Sequence, residues 1–226
     1  MPGYYVHFAA GGGDTLKNRS FVLGVEAPDI LKAHFKICGG IESAWAKYES
    51  FRTEDAPDYH ELEARVQQKE RYGSTDGLHY GVSSLPDVRA FWNGLSEQQK
   101  RMNFYKGYAW HLLTDAIIYG RMNIDAKFQR FLEANQGVSN IEELKKREVK
   151  KLHDDWDKTN ARIRDIYPEI SLPDEVKELG VVQFINEGEL VYVDWDIFEY
   201  TIEYMRSFDP INGDMNFIIE TILNNI

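Results

Sequence analysis

Apolar residues recur at intervals of three and four along most of this chain, the spacing that gathers them on one face of an α-helix. The segments AWAKYESFR, PDYHELEARVQQKERY, Phe104 to Tyr119, DAKFQRFLEAN, IEELKKREVKKLHDDWDKTNARIRDIY and DWDIFEYTIEYMRSF all carry this pattern. They predict an all-α fold. Polar residues mark several helix starts: Asp29, after Pro28, stands ahead of ILKAHF, Ser96 ahead of EQQKRM, and Ser171-Leu-Pro-Asp opens DEVKEL. Asp194 and Asp196 in VDWDIFEY read as cap or first-turn carboxylates. Gly11-Gly12-Gly13, Cys38-Gly39-Gly40, residues 72–86 and the Gly137 region read as loops, and none has the character of a flexible interdomain linker. The expectation is a single helical domain over residues 1–226. One stretch departs from the helical pattern: VVQFINEGELVYV, residues 181–193, reads as a short β-hairpin turning at Asn186 to Gly188.

Composition narrows the function. The 226 residues are 43% hydrophobic and 13% aromatic, enough for one sizeable core. A net charge of −11 argues against a general nucleic-acid or anionic-membrane binder, because those affinities come from Lys and Arg neutralising phosphates. No stable nucleic-acid complex is expected. Cys38 is the only cysteine, so no intramolecular disulfide forms. With no signal-like start in MPGYYVHFAAGGG and no apolar run long enough to span a membrane, a cytoplasmic location and a true start near residue 1 are expected. The triple glycine lacks the Lys-Ser/Thr of a P-loop, and no GxGxxG spacing is present.

The chemistry lies in GYAWHLLTDAIIYG, where His111 and Asp115 stand four residues apart in an apolar helix and so share a face. A carboxylate carried into a core needs a partner or a metal, because burying it alone costs several kcal/mol or more. His7 in YYVHFAAGGG and His79 in TDGLHYGVS occupy similar apolar or glycine-bearing settings, and Asp29 sits in VLGVEAPDILK. Three histidines and two aspartates are the ligand chemistry of zinc or a similar divalent ion, although any one buried imidazole is equally well satisfied by a backbone carbonyl. His34 and His60 read as solvated or capping residues. Trp45, Trp92, Trp110 and Trp156 read as core, and Arg121 as a surface residue or a phosphate contact.

The order of an early His, an APD element, a His before an aromatic and Gly, and GYxxHLLTD resembles the bacterial zinc-dependent phospholipase C family and its single-strand nuclease relatives. The likeness covers roughly the first 120 to 160 residues. It implies a helical bundle of the phospholipase C type and carries the family's metal positions onto His7, Asp29, His79, His111 and Asp115, with Asp115 bridging. The implied activity is hydrolysis of a phosphate ester, foremost a phosphodiester, by metal-bound water, with Asp29 doubling as a base or water-orienting group. The substrate would be a small phosphate ester or a phospholipid. Members with a third zinc carry a further His soon after the helix aspartate and a downstream His-xxx-Glu pair, whereas this chain continues AIIYGRMN. Two zinc ions are therefore expected, with manganese or iron as alternatives. His153 and Asp157 have the spacing of a shifted remnant of that pair, within a densely charged helix face. Two other readings stand beside this one: an HD-type phosphohydrolase using His153-Asp154, and a non-catalytic helical module that keeps the fold.

Overall fold

The computed structural model describes residues 4–37, 46, 48–58, 61, 87–122, 124–179 and 182–226. Its helices run α1 (Tyr4–Thr15), α2 (Arg19–Ile37), α3 (Val88–Asn93), α4 (Glu97–Arg101), α5 (Asn103–Arg121), α6 (Ile124–Ala134), α7 (Ile141–Ile166), α8 (Asp174–Leu179), α9 (Trp195–Arg206) and α10 (Met215–Leu223). The fold is all-α, with no strand among the described residues. No helix among them is long and apolar enough to cross a membrane.

Helix α5 organises the packing. From Phe104 to Tyr119 only Lys106 escapes full burial, as befits a helix that is apolar on every side. Helices α1, α2, α3, α4, α9 and α10 all pack on it, α2 most extensively. The α2–α5 crossing is close because it is made by glycines. A Cβ on Gly24 would lie 1.9 Å from the Phe104 carbonyl oxygen, and one on Gly107 would lie 2.1 Å from that of Phe21. At these two positions backbone meets backbone, with no room for a methyl group.

Two helix boundaries differ from the sequence expectation. Helix α2 begins at Arg19, not at Asp29, and carries Pro28 inside it. Pro28 has no N–H for the Gly24 carbonyl one turn earlier, but the apolar face of SFVLGVEA is buried against α5 and the helix continues through the interruption. The expected Gly11-Gly12-Gly13 loop lies within α1, which breaks only at Gly12, where φ is 75° and ψ is 164°. Other signals agree with the structure. Ser96 and Gln99 form a reciprocal capping box at α4, and Asp194 caps α9 through the Asp196 N–H. The Trp92, Trp110 and Trp156 side chains are core, and Trp92 donates from Nε1 to Asn216. Trp45, Cys38-Gly39-Gly40, residues 72–86 and most of PDYHELEARVQQKERY lie outside the described residues.

The hairpin is the larger correction. Residues 182–193 form an irregular segment laid on α7 and held by Asp155, a side chain fully removed from solvent. One Asp155 oxygen accepts the backbone N–H groups of Val191, Tyr192 and Val193 at 2.7, 2.6 and 3.3 Å, while the other accepts Lys158 Nζ at 3.1 Å. Asn160 adds a bond to the Gln183 carbonyl, and Lys158 one to that of Glu189. The donors that a second strand would have used are thus spent on a carboxylate.

Two outcomes follow from this packing. Gly107→Ala gains roughly 1 kcal/mol of helix propensity but forces two backbones apart, a cost of about 3 kcal/mol or more. The variant is expected to melt several degrees below wild type, while Gly13→Ala, whose Cβ meets only Glu169 at 3.7 Å, stays within a degree or so. Equal melting temperatures for the two would contradict the close crossing. Asp155→Ala leaves three backbone donors without their acceptor and is expected to cost about 3–5 kcal/mol. Hydrogen exchange checks it: amides 191–193 should lose protection before the core does.

Candidate metal centre

His111 and Asp115 lie one turn apart on the inner face of α5, and α1 brings His7 against them from more than a hundred residues earlier in the sequence. The three side chains are 0–1% exposed. The rings of His7 and His111 stack with centroids 3.8 Å apart and planes 11° from parallel. Asp115 faces both: Oδ1 is 3.5 Å from His7 Nε2, and Oδ2 is 3.3 Å from His111 Nε2. One donor atom from each residue can be chosen so that all lie within 4.8 Å of one another.

The opposite edge of the His111 ring is fixed by α2. Nδ1 donates to the Val25 carbonyl at 2.7 Å; a carbonyl only accepts, so Nδ1 carries a proton and Nε2 is the nitrogen turned toward Asp115. Metal-ligating histidines are oriented by this kind of outer contact. The glycine crossing of α2 and α5 holds that carbonyl within reach of the ring.

The donor set passes a simple geometric test for a cation. A charge-assisted N–H···O bond spans about 2.7–2.9 Å. Two ligand atoms each about 2.0–2.1 Å from one tetrahedral ion lie roughly 3.4 Å apart. The observed separations of 3.3 and 3.5 Å match the second arrangement. Two imidazoles and one carboxylate can hold a divalent metal ion here, and the burial of an acid among aromatic and aliphatic side chains is then accounted for.

Three of the five expected ligands, His7, His111 and Asp115, therefore converge. Asp29 falls on α2 one turn beyond Val25, but its side chain lies outside the described residues, as does all of His79. The other candidates lie elsewhere. His153 is exposed on α7 and Asp154 pairs with Lys150 at 2.7 Å, which leaves the HD-type dyad on an open charged surface. Burial raises the Asp157 carboxyl above its usual range, with Asp154 adding to the shift. Arg121 is a surface residue that stacks on Tyr200 at 4.2 Å and donates to its hydroxyl. His34 and His60 carry no described side chain. A cavity of about 230 Å³, lined among others by Val22, Glu26, Phe51 and Pro173, has none of the three converging ligands in its wall.

Sequence reasoning missed the Val25 carbonyl, which no side-chain pattern announces. It also missed Asp155, whose signal was present: Leu152, Asp155, Trp156, Thr159 and Ile163 share the buried stripe of α7 at intervals of three and four. No protein-family model matches the chain, and neither do any of the curated proteins or solved structures compared with it.

His111→Ala removes a ligand and leaves Asp115 buried with half of its imidazole surroundings, at an expected cost of about 3–5 kcal/mol in the metal-loaded protein. Melting curves with and without a chelator read this directly. Chelator should lower the wild-type melting temperature and leave the variant unchanged; a wild type indifferent to chelator would remove the site.

Proposed function

We propose that the chain is a metal-dependent hydrolase of phosphate esters, phosphodiesters foremost, working at His7, His111 and Asp115. The observation that carries the reading is the convergence of two imidazoles and one carboxylate, wholly buried, at ligand-like separations. Zinc is the ion we assign, since imidazole and carboxylate nitrogen and oxygen donors suit it, with manganese and iron as the competing occupants. The resemblance of APDIL and GYAWHLLTD to zinc-dependent phospholipases C supports the same chemistry and adds Asp29 and His79 as ligands of a second ion.

A divalent ion at this place supplies Lewis-acid polarisation of a phosphoryl oxygen and a lowered pKa for water. The protein's own contributions are orientation and exclusion. The Val25 carbonyl fixes the His111 tautomer, and the stacked rings hold His7 Nε2 and His111 Nε2 on one side. Asp115 turns one oxygen to each histidine, which supports its assignment as the shared carboxylate. Asp29 is the proposed base or water-orienting group. The three side chains are wholly buried, and the low dielectric of such a setting strengthens every electrostatic contact within it.

Metal-free protein reconstituted with zinc, manganese or iron and assayed on bis-nitrophenyl phosphate is expected to turn over, whereas Asp115→Asn is not. Elemental analysis should return two ions per wild-type chain and none in Asp115→Asn. Loaded protein inert toward both phosphodiesters and phosphomonoesters would exclude the hydrolase reading and leave the non-catalytic module. A single ion per chain would exclude the bridging role of Asp115.

A further inference from the structure

The triple glycine of α1 is unused by the chemistry above, yet it sits between His7 and the end of its helix. At Gly12 the backbone leaves helical geometry, with φ 75° and ψ 164°, a conformation glycine adopts at no steric cost. In an unbroken helix the Ala9 carbonyl accepts the Gly13 N–H, and the break falls on the residue between them that precedes that donor. Arg206, at the last turn of α9 and 197 residues distant, reaches that carbonyl: Nε donates to it at 2.7 Å. Its chain lies across the bare face of Gly12, where a Cβ would be 3.9 Å from Nε and 4.0 Å from Cγ. The guanidinium is held in turn by Glu169, at 2.9 Å from Nη2, and by the Tyr167 ring, 4.3 Å below it. Thr15 Oγ1 closes the other side of the break on the Gly12 carbonyl at 2.9 Å.

We infer that Arg206 is a positioning residue for the metal ligand His7, acting through the Ala9 carbonyl at the Gly12 break. His7 lies two residues before Ala9, on the short helical piece that the break isolates from the rest of α1. That piece has about two turns of its own, too few to be rigid alone, so its rotation about its axis is set by what grips its open end. Rotation by one residue amounts to roughly 100°, which would carry the His7 ring off His111 and away from Asp115. Helix α9 is the most extensive packing partner of α1, and Arg206 is the polar contact that fixes the phase of that packing at the open end.

This inference rests on the metal-centre reading, and its test separates the two. Cobalt(II) alone is titrated into metal-free wild type, Arg206→Gln, Arg206→Lys and Arg89→Gln, with affinity read from the visible absorption of the bound ion. Arg89 forms a comparable exposed ion pair with Glu220 and serves as the control for simple loss of a surface bridge. Outer contacts to metal ligands typically govern about 10–100-fold in affinity. Arg206→Gln should weaken cobalt binding by about tenfold or more, Arg206→Lys should recover part of it through its ammonium donor, and Arg89→Gln should bind as wild type does. In the metal-free proteins the ring-current shift of the His7 ring protons by stacked His111 should be lost in Arg206→Gln alone. Should that variant not fold, Glu169→Gln, which removes the ion pair with the guanidinium while keeping the Glu169 Cγ that lies beside Gly13, is expected to weaken cobalt binding in the same direction. Wild-type affinity in folded Arg206→Gln, or in Glu169→Gln where Arg206→Gln does not fold, overturns the positioning role while leaving the metal centre intact. A wild type that binds no cobalt overturns both.

Discussion

Two helices can bring a backbone carbonyl against a side chain of the neighbouring helix only if nothing larger than hydrogen stands between them. Gly24 and Gly107 satisfy that condition at the α2–α5 crossing, and the candidate site depends on it. With the backbones in contact, the Val25 carbonyl lies within 2.7 Å of His111 Nδ1. That bond orients the ring, and the ring in turn presents Nε2 to Asp115. Wider spacing of the two helices would leave His111 without its outer partner and Asp115 facing an unfixed imidazole.

The second constraint is electrostatic. Asp115 and Asp155 are both buried carboxylates on long helices, and the protein resolves them differently. Asp155 is surrounded by backbone N–H groups and Lys158, a set of donors that satisfies a negative charge without any further ligand. Asp115 is bracketed by two imidazole nitrogens at separations long for hydrogen bonds. Asp155 is thus a staple for the 182–193 segment, whereas Asp115 belongs to a group of side chains that could hold a metal ion. The same principle, that a buried charge must be compensated, applies to both.

A third theme is the use of interruptions. Pro28 and Gly12 each interrupt a helix near the site, and close to each interruption a backbone carbonyl accepts a side chain from elsewhere in the chain. Val25, beside the first, accepts from His111; Ala9, beside the second, accepts from Arg206. These bonds add to the other polar contacts of the two helices, Tyr5 to the Ile170 carbonyl from α1 and Ser20 to Asp55 from α2.

The all-α class, the run of α5 and the shared face of His111 and Asp115 were legible in the sequence, because they follow from the three-to-four-residue periodicity that a helix imposes on its own neighbours. The caps at Ser96 and Asp194 were legible for the same reason: donor and acceptor lie within one turn. The start of α2 was not, since the burial of Phe21, Leu23 and Val25 against α5 outweighs the local signal of Pro28-Asp29. The hairpin at 181–193 was misread because the alternation in VVQFINEGELVYV is local, while the acceptor that claims its N–H groups, Asp155, lies 36 residues away from the nearest of them. Sequence proximity put His111 beside Asp115, but only the tertiary structure placed His7 and the Val25 carbonyl around them and Arg206 on the Ala9 carbonyl of α1. Contacts that close loops of 86 to 197 residues leave no periodic trace; they exist because helices with apolar faces and bare glycines can approach closely enough for polar groups of distant origin to meet.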